Sequence, residues 1–166
     1  MTPIQYVIGD ATHPIGKGRK IIAHCCNDIG AWGAGFVLAI SRRWREPEHQ
    51  YREWFNKMGK VVTLPLGAVQ FVEVERGLSV ANIIGQTGLG GRSYGLPPIR
   101  YHALGAGLAE IAHKACCDCS SVHMPRMGAG LAGGDWEVIE LLIQETLCAS
   151  DVAVYVYDLP REAMAA

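Results

Sequence analysis

Apolar positions along this chain follow two alternating rhythms: short continuous runs, and longer stretches in which one face repeats every three to four residues. The runs at residues 4 to 8, Lys20 to Cys26, Ala68 to Val74, Leu78 to Ile84, Ser121 to Pro125 and Val152 to Asp158 predict β-strands. Lys20 to Cys26 is too apolar for a strand with one wet face, so it reads as a buried central one. The helical rhythm places Phe36, Ile40 and Trp44 on one face of a helix, and Tyr51, Trp54, Phe55 and Met58 on the core face of the next. Pro97 and Pro98 suit a helix start, and Leu104, Leu108, Ile111, Ala112 and Ala115 form the buried stripe behind them. Asp135 is a natural N-cap for a helix carrying Ile139, Leu142, Ile143 and Leu147. Strands alternate with helices, interrupted by one hairpin whose turn is Glu75-Arg76-Gly77. That order implies an α/β fold: a mixed central sheet covered on both faces, a three-layer α/β/α arrangement in a single domain spanning residues 1–166.

Between the strands and helices lie glycine-rich loops. Met124 to Trp136 is a strand ending in glycines and opening into a helix, where little Cβ bulk lets backbone N–H groups approach an anion and the helix adds its positive end. Gly128-Ala129-Gly130-Leu131-Ala132-Gly133 also matches a dinucleotide fingerprint, but only one helix and one strand follow, too little for a nucleotide-binding βαβ half. Asn27 to Gly35 repeats the strand, glycine loop and helix pattern, giving a second cradle. Gly85 to Gly95 is a third glycine-rich loop, and Gly88 to Gly95 has the length to act as a lid. Asp10, just past the first strand, is placed either to accept from an exocyclic amine or ribose hydroxyl, or to cap its own turn. Ligands of open α/β sheets collect outside the carboxyl ends of the strands, so the loops after Asp10, Asn27, Gln86 and Gly128 are expected to line one cleft.

Composition narrows the partners. The 166 residues carry a net charge of −1, so no global basic field exists to hold a nucleic-acid backbone. The N-terminus lacks a basic and apolar leader and no run reaches membrane-spanning length, which predicts a cytoplasmic protein away from membranes. The six cysteines then read as reduced thiols. Cys116, Cys117 and Cys119 lie near His113 and His123, but Cys-Cys-x-Cys is not a zinc spacing, and no metal is expected.

These motifs together carry a resemblance. Over essentially its whole length the chain resembles the macrodomain family: Gly9-Asp10-Ala11-Thr12 is similar to its first loop, Ala23-His24-Cys25-Cys26-Asn27 through Gly33-Ala34-Gly35 to its ribose-contacting loop, and Pro125 through Trp136 to its diphosphate loop. The resemblance implies binding of ADP-ribose or its derivatives without a further cofactor, and ADP-ribosylated proteins as wider partners. Asp10 would meet the adenine, and Ala11 beside it is a further ligand-binding candidate. Asn27, Gly33, Ala34, Gly35 and Phe36 would hold the distal ribose beside Gln86, and Gly128, Ala129, Gly130, Leu131, Ala132 and Gly133 would surround the diphosphate.

Within the family the chain looks closest to the branch of the ADP-ribose 1''-phosphate phosphatase and the terminal ADP-ribose protein glycohydrolase. It departs from that glycohydrolase where a lysine would stand, here Gly85-Gln86-Thr87, and where an acid would fall, near Ala132. A second hydrolase branch has an aspartate where this chain has Val37. The groups left near the distal ribose are His24, Asn27, Asp28, Gln86, Tyr94 and His102. Removing a phosphate or acyl group from the 1'' position needs a water, a proton acceptor and donors for developing charge. His24, Asn27 and Asp28 are the catalytic candidates, with His24 as general base or acid and Asn27 orienting the ribose. The competing reading makes His24 a hydrogen-bonded core residue and the chain a non-enzymatic ADP-ribose reader.

Overall fold

The computed structural model describes residues 1–59, 61–90 and 96–161. Among these residues six strands, β1 (Gln5–Ile8), β2 (Lys20–Asn27), β3 (Val69–Glu75), β4 (Leu78–Gln86), β5 (Ser121–Pro125) and β6 (Val154–Asp158), form one sheet in the order β1-β6-β5-β2-β4-β3. All neighbours are parallel except β3, which returns antiparallel along β4. The helices are α1 (Phe36–Arg43), α2 (Glu46–Lys57), α3 (Tyr101–Asp118) and α4 (Trp136–Ile143), the last continued by a π-helical turn, Gln144–Cys148. The mixed sheet between two helical layers is the expected three-layer α/β/α fold.

The apolar run of β2 explains its place in the middle. Successive side chains of a strand point to opposite faces, and here both faces are dry. Ile21 and Ala23 join a core with Ala81 and Ile83 of β4, Leu104, Leu108 and Ile111 of α3, and Ile139 and Ile143 of α4. Ile22 and Cys26 join the opposite core with Val80 and Ile84 of β4, Ile40 of α1 and Tyr51 of α2. Burial of the Ile, Leu and Val side chains among them stabilises by about 1.5–3 kcal/mol each.

Local pattern misleads at three ends. α3 begins at Tyr101, beyond Pro97 and Pro98, because the backbone before it is used elsewhere: Ile99 bridges to Gln86, Ile99 N–H donates to Ala132 O and Arg100 N–H to Gly85 O. On α2, Tyr51 is fully buried, Trp54 and Phe55 are half-buried, and Met58 is exposed just past the last turn, so the stripe leaves the core as it ends. Leu147 is buried in the π-helical turn, not in α4. Among the described residues, no helix is long and apolar enough to cross a membrane.

Candidate functional site

Parallel direction brings the carboxyl ends of β2, β4 and β5 to one edge of the sheet, and a cleft of about 470 Å³ opens there. Its walls come from three loops. His24, Cys25, Cys26 and Asn27 with Ala31 and Gly33 through Val37 form one side; Gln86, Leu89 and Gly90 form the second; Pro125 through Gly128 and Gly130 through Ala132 form the third.

The loop after β2 is folded around one side chain. Asn27 Oδ1 accepts from Ile29 N–H at 3.1 Å, Ala31 N–H at 3.0 Å and Tyr51 O–H at 2.8 Å, while its Nδ2 donates to Ala31 O at 2.7 Å. Tyr51 O–H also approaches Asn27 O at 2.6 Å, and burial pushes that phenol well above its usual pKa. The loop ends at Gly35, the N-cap of α1, with φ 80 and ψ −147, a conformation open essentially to glycine. Among the described residues no side chain caps α1, and Phe36 and Val37 of its first turn line the cleft.

The loop after β5 is held by its own backbone. Gly134 N–H donates to Gly128 O at 2.8 Å and Gly133 N–H to Gly130 O at 3.0 Å. A Cβ on Gly134 would sit 2.5 Å from Gly128 O, so the crossing requires glycine. Among the described residues, the N–H groups of Gly130, Leu131 and Ala132 have no acceptor. The loop passes into α4 at Asp135, whose carboxylate accepts from Glu137 N–H at 2.9 Å, the expected N-cap.

His24 lines the cleft floor at 2% exposure. Asn82 Nδ2 donates to Pro47 O and Gln70 Oε1, which turns Asn82 Oδ1 toward His24 Nε2 at 2.5 Å. His24 therefore donates from Nε2 and keeps the Nδ1 lone pair, 3.8 Å from Cys26 Sγ. Burial lowers its pKa to about 4, so the ring is neutral near pH 7. The same desolvation pushes the Cys25 thiol up to about 12 and holds Cys26 well above its usual range, which leaves neither as a thiolate.

Of the residues singled out from the sequence, His24, Asn27, Gly33, Ala34, Gly35, Phe36, Gln86, Gly128, Gly130, Leu131 and Ala132 meet in the cleft. Ala129, Gly133, Asp10, Ala11 and Asp28 are not in its lining. Asp10 Oδ1 accepts from Thr12 N–H and Oγ1–H, both at 2.8 Å, so this oxygen caps its own turn. Asp28 is buried behind the wall, and His102 is exposed on α3 outside the lining. Tyr94, and with it much of the expected Gly88 to Gly95 lid, lies outside the described residues.

Sequence reasoning missed Arg126, the one cationic side chain of the described lining. Its Nε and Nη2 meet Asp158 Oδ1 and Oδ2 at 2.6 and 2.8 Å, and its guanidinium lies 5.0 and 5.1 Å from the ring centres of Tyr6 and Trp136. A signal was present in its position directly after β5. Among the described residues, no three His, Cys, Asp or Glu side chains gather as a metal site requires.

Comparison with known proteins gives the cleft a context. No family model matches the chain. A macrodomain protein from Streptomyces coelicolor is 49% identical, with a TM-score of 0.81 covering 94% of this chain and 99% of that one. Chromodomain-helicase-DNA-binding protein 1-like from Mus musculus is 34% identical over 96% of this chain, which spans only 18% of that relative's length. ADP-ribose 1''-phosphate phosphatase from Candida albicans is 28% identical over 86% of this chain and 92% of its own. On its sequence, its sheet order and these relatives, the chain belongs to the macrodomain family.

Proposed function

We propose that the cleft binds ADP-ribose or a derivative of it, and that the chain hydrolyses a phosphate or acyl substituent from the 1'' position of the distal ribose. One observation carries the binding reading: the Gly33 to Phe36 turn and the Gly130 to Ala132 amides line the same cleft, leaving backbone donors on two walls. Donors of this kind suit a pyrophosphate between two sugars and hold its charge without lysines, which fits a protein of net charge −1. The name of the phosphatase from Candida albicans supports the hydrolytic half.

In this reading the Gly130 to Ala132 amides and the first turn of α1 take the diphosphate. Asn27 has one amide hydrogen beyond the bond to Ala31 O and offers it to the ribose. Hydrolysis adds a water across the bond to the 1'' substituent, and the neutral His24 Nδ1 is the lone pair in the floor able to take a proton. ADP-ribosylated proteins are the wider substrates we propose, in a reducing, cytoplasmic setting suited to six free thiols.

One observation favours a reader instead. The described lining contains no carboxylate, and His24 is committed to Asn82. Incubation with ADP-ribose 1''-phosphate and with an ADP-ribosylated acidic peptide separates the two. A hydrolase releases phosphate or free peptide, and a reader binds both and releases neither.

A further inference from the structure

We infer that Asp28 and Gln86 act as positioning residues that clamp the Gly88 peptide from both sides and so hold the second wall of the cleft. This rests on the proposed ADP-ribose reading for its functional consequence, though not for its geometry. Asp28 follows the end of β2 and is 3% exposed. Its Oδ1 accepts from Gly88 N–H at 2.8 Å, across sixty residues of sequence. Gln86, the last residue of β4, donates from Nε2 to Gly88 O at 2.8 Å. Both polar groups of one glycine are thereby taken by side chains from the ends of two adjacent strands, and the residues that follow, Leu89 and Gly90, are the ones that line the cleft.

The clamp is itself anchored. Asp28 O accepts from Leu64 N–H at 2.7 Å, and Thr87 N–H donates to Pro98 O at 2.9 Å. Gly90 lies against the opposite wall, where a Cβ on it would come within 3.2 Å of Leu131 O. A shift at Gly88 therefore changes the distance between the second and third walls. Asp28 works here as a hydrogen-bond acceptor behind the wall, not as a group that meets the ligand.

The chemistry separates an acceptor from a base. Asp28→Asn keeps an oxygen able to accept from Gly88 N–H but cannot take a proton in catalysis; Asp28→Ala keeps neither. Amide hydrogen exchange at Gly88 reads the clamp directly and needs no ligand. Protection persists in Asp28→Asn and falls by about tenfold or more in Asp28→Ala, with Gln86→Glu, unable to donate, falling as well. In a calorimetric titration Asp28→Asn keeps ADP-ribose affinity within about threefold of the parent, and Asp28→Ala weakens it by about tenfold. The account is overturned if Gly88 exchanges alike in parent and Asp28→Ala. It is equally overturned if Asp28→Asn and Asp28→Ala both lose turnover of ADP-ribose 1''-phosphate while Gly88 protection and affinity are kept, the pattern of a base. Absence of ADP-ribose binding to the parent chain defeats the ligand reading alone, because the exchange result stands by itself.

Discussion

The loops after β2 and β5 face each other across one cleft but are built by opposite means. Asn27 organises the first: its carboxamide collects Ile29 N–H, Ala31 N–H, Ala31 O and the Tyr51 hydroxyl. The second is organised by main chain crossing main chain, with Gly134 N–H on Gly128 O and Gly133 N–H on Gly130 O. A loop hung on a side chain concentrates its stability in one residue. A loop hung on its backbone distributes it, and is vulnerable wherever a Cβ would part the strands of the turn.

The largest effect should come from breaking the first loop. Asn27→Ala removes four hydrogen bonds and leaves the Tyr51 hydroxyl buried with one acceptor fewer. The expected cost is about 3–5 kcal/mol in urea unfolding, with loss of ADP-ribose affinity by about a hundredfold. Asn27→Asp keeps the oxygen that accepts from Ile29, Ala31 and Tyr51 but sets its second oxygen against Ala31 O, and should recover only part of that loss.

Acid should weaken the strands that carry both loops. His24 on β2 and His123 on β5 are each lowered from 6.5 to about 4, chiefly by burial. His123 is fully buried between Ser121 Oγ and Tyr157 O–H, each 2.8 Å from a ring nitrogen. Above pH 6.5 neither folded nor unfolded chain holds these protons, and nothing is lost. As pH falls below 6.5 the unfolded chain takes them up while the folded chain resists until about 4. Stability therefore drops through that window, by about 2 kcal/mol per ring at pH 5. Urea midpoints at pH 7 and pH 5 check it, and midpoints that do not move contradict the burial of both rings as neutral groups.

The second loop is best probed by paired glycine substitutions. At Gly134 an added Cβ meets a backbone oxygen at 2.5 Å. Gly134→Ala is expected to cost about 1–3 kcal/mol and to weaken ADP-ribose binding along with stability. At Gly130 an added Cβ meets nothing within 4 Å among the described residues. Gly130→Ala should leave unfolding stability within about 0.5 kcal/mol of the parent while still reducing affinity, because Gly130 is part of the cleft lining. Equal stability losses at the two positions would erase the distinction drawn between scaffold and contact within this loop.

What the sequence made legible was local. The unbroken apolar run of β2 announced a strand buried on both faces, and Asp135 announced the start of α4. Partners far apart along the chain were not legible: Asn82 for His24, Tyr51 for Asn27 and Asp158 for Arg126 are choices made by the sheet order. Asp10 shows the same limit. Its position after β1 permitted a ligand contact or a turn cap, and the folded turn puts Thr12 on its Oδ1. The helix expected from Pro97 starts late because Ile99 and Arg100 pair with residues from two other loops, which no window of local sequence contains.

The central claim is that main-chain donors on two walls together grip a pyrophosphate between two sugars. A calorimetric titration with ADP-ribose, with AMP as control, tests it most directly. The account predicts saturation at one ADP-ribose per chain and binding of AMP weaker by about tenfold or more, since AMP offers a single phosphate and no distal ribose. No heat with ADP-ribose, or AMP bound as tightly as ADP-ribose, would contradict it.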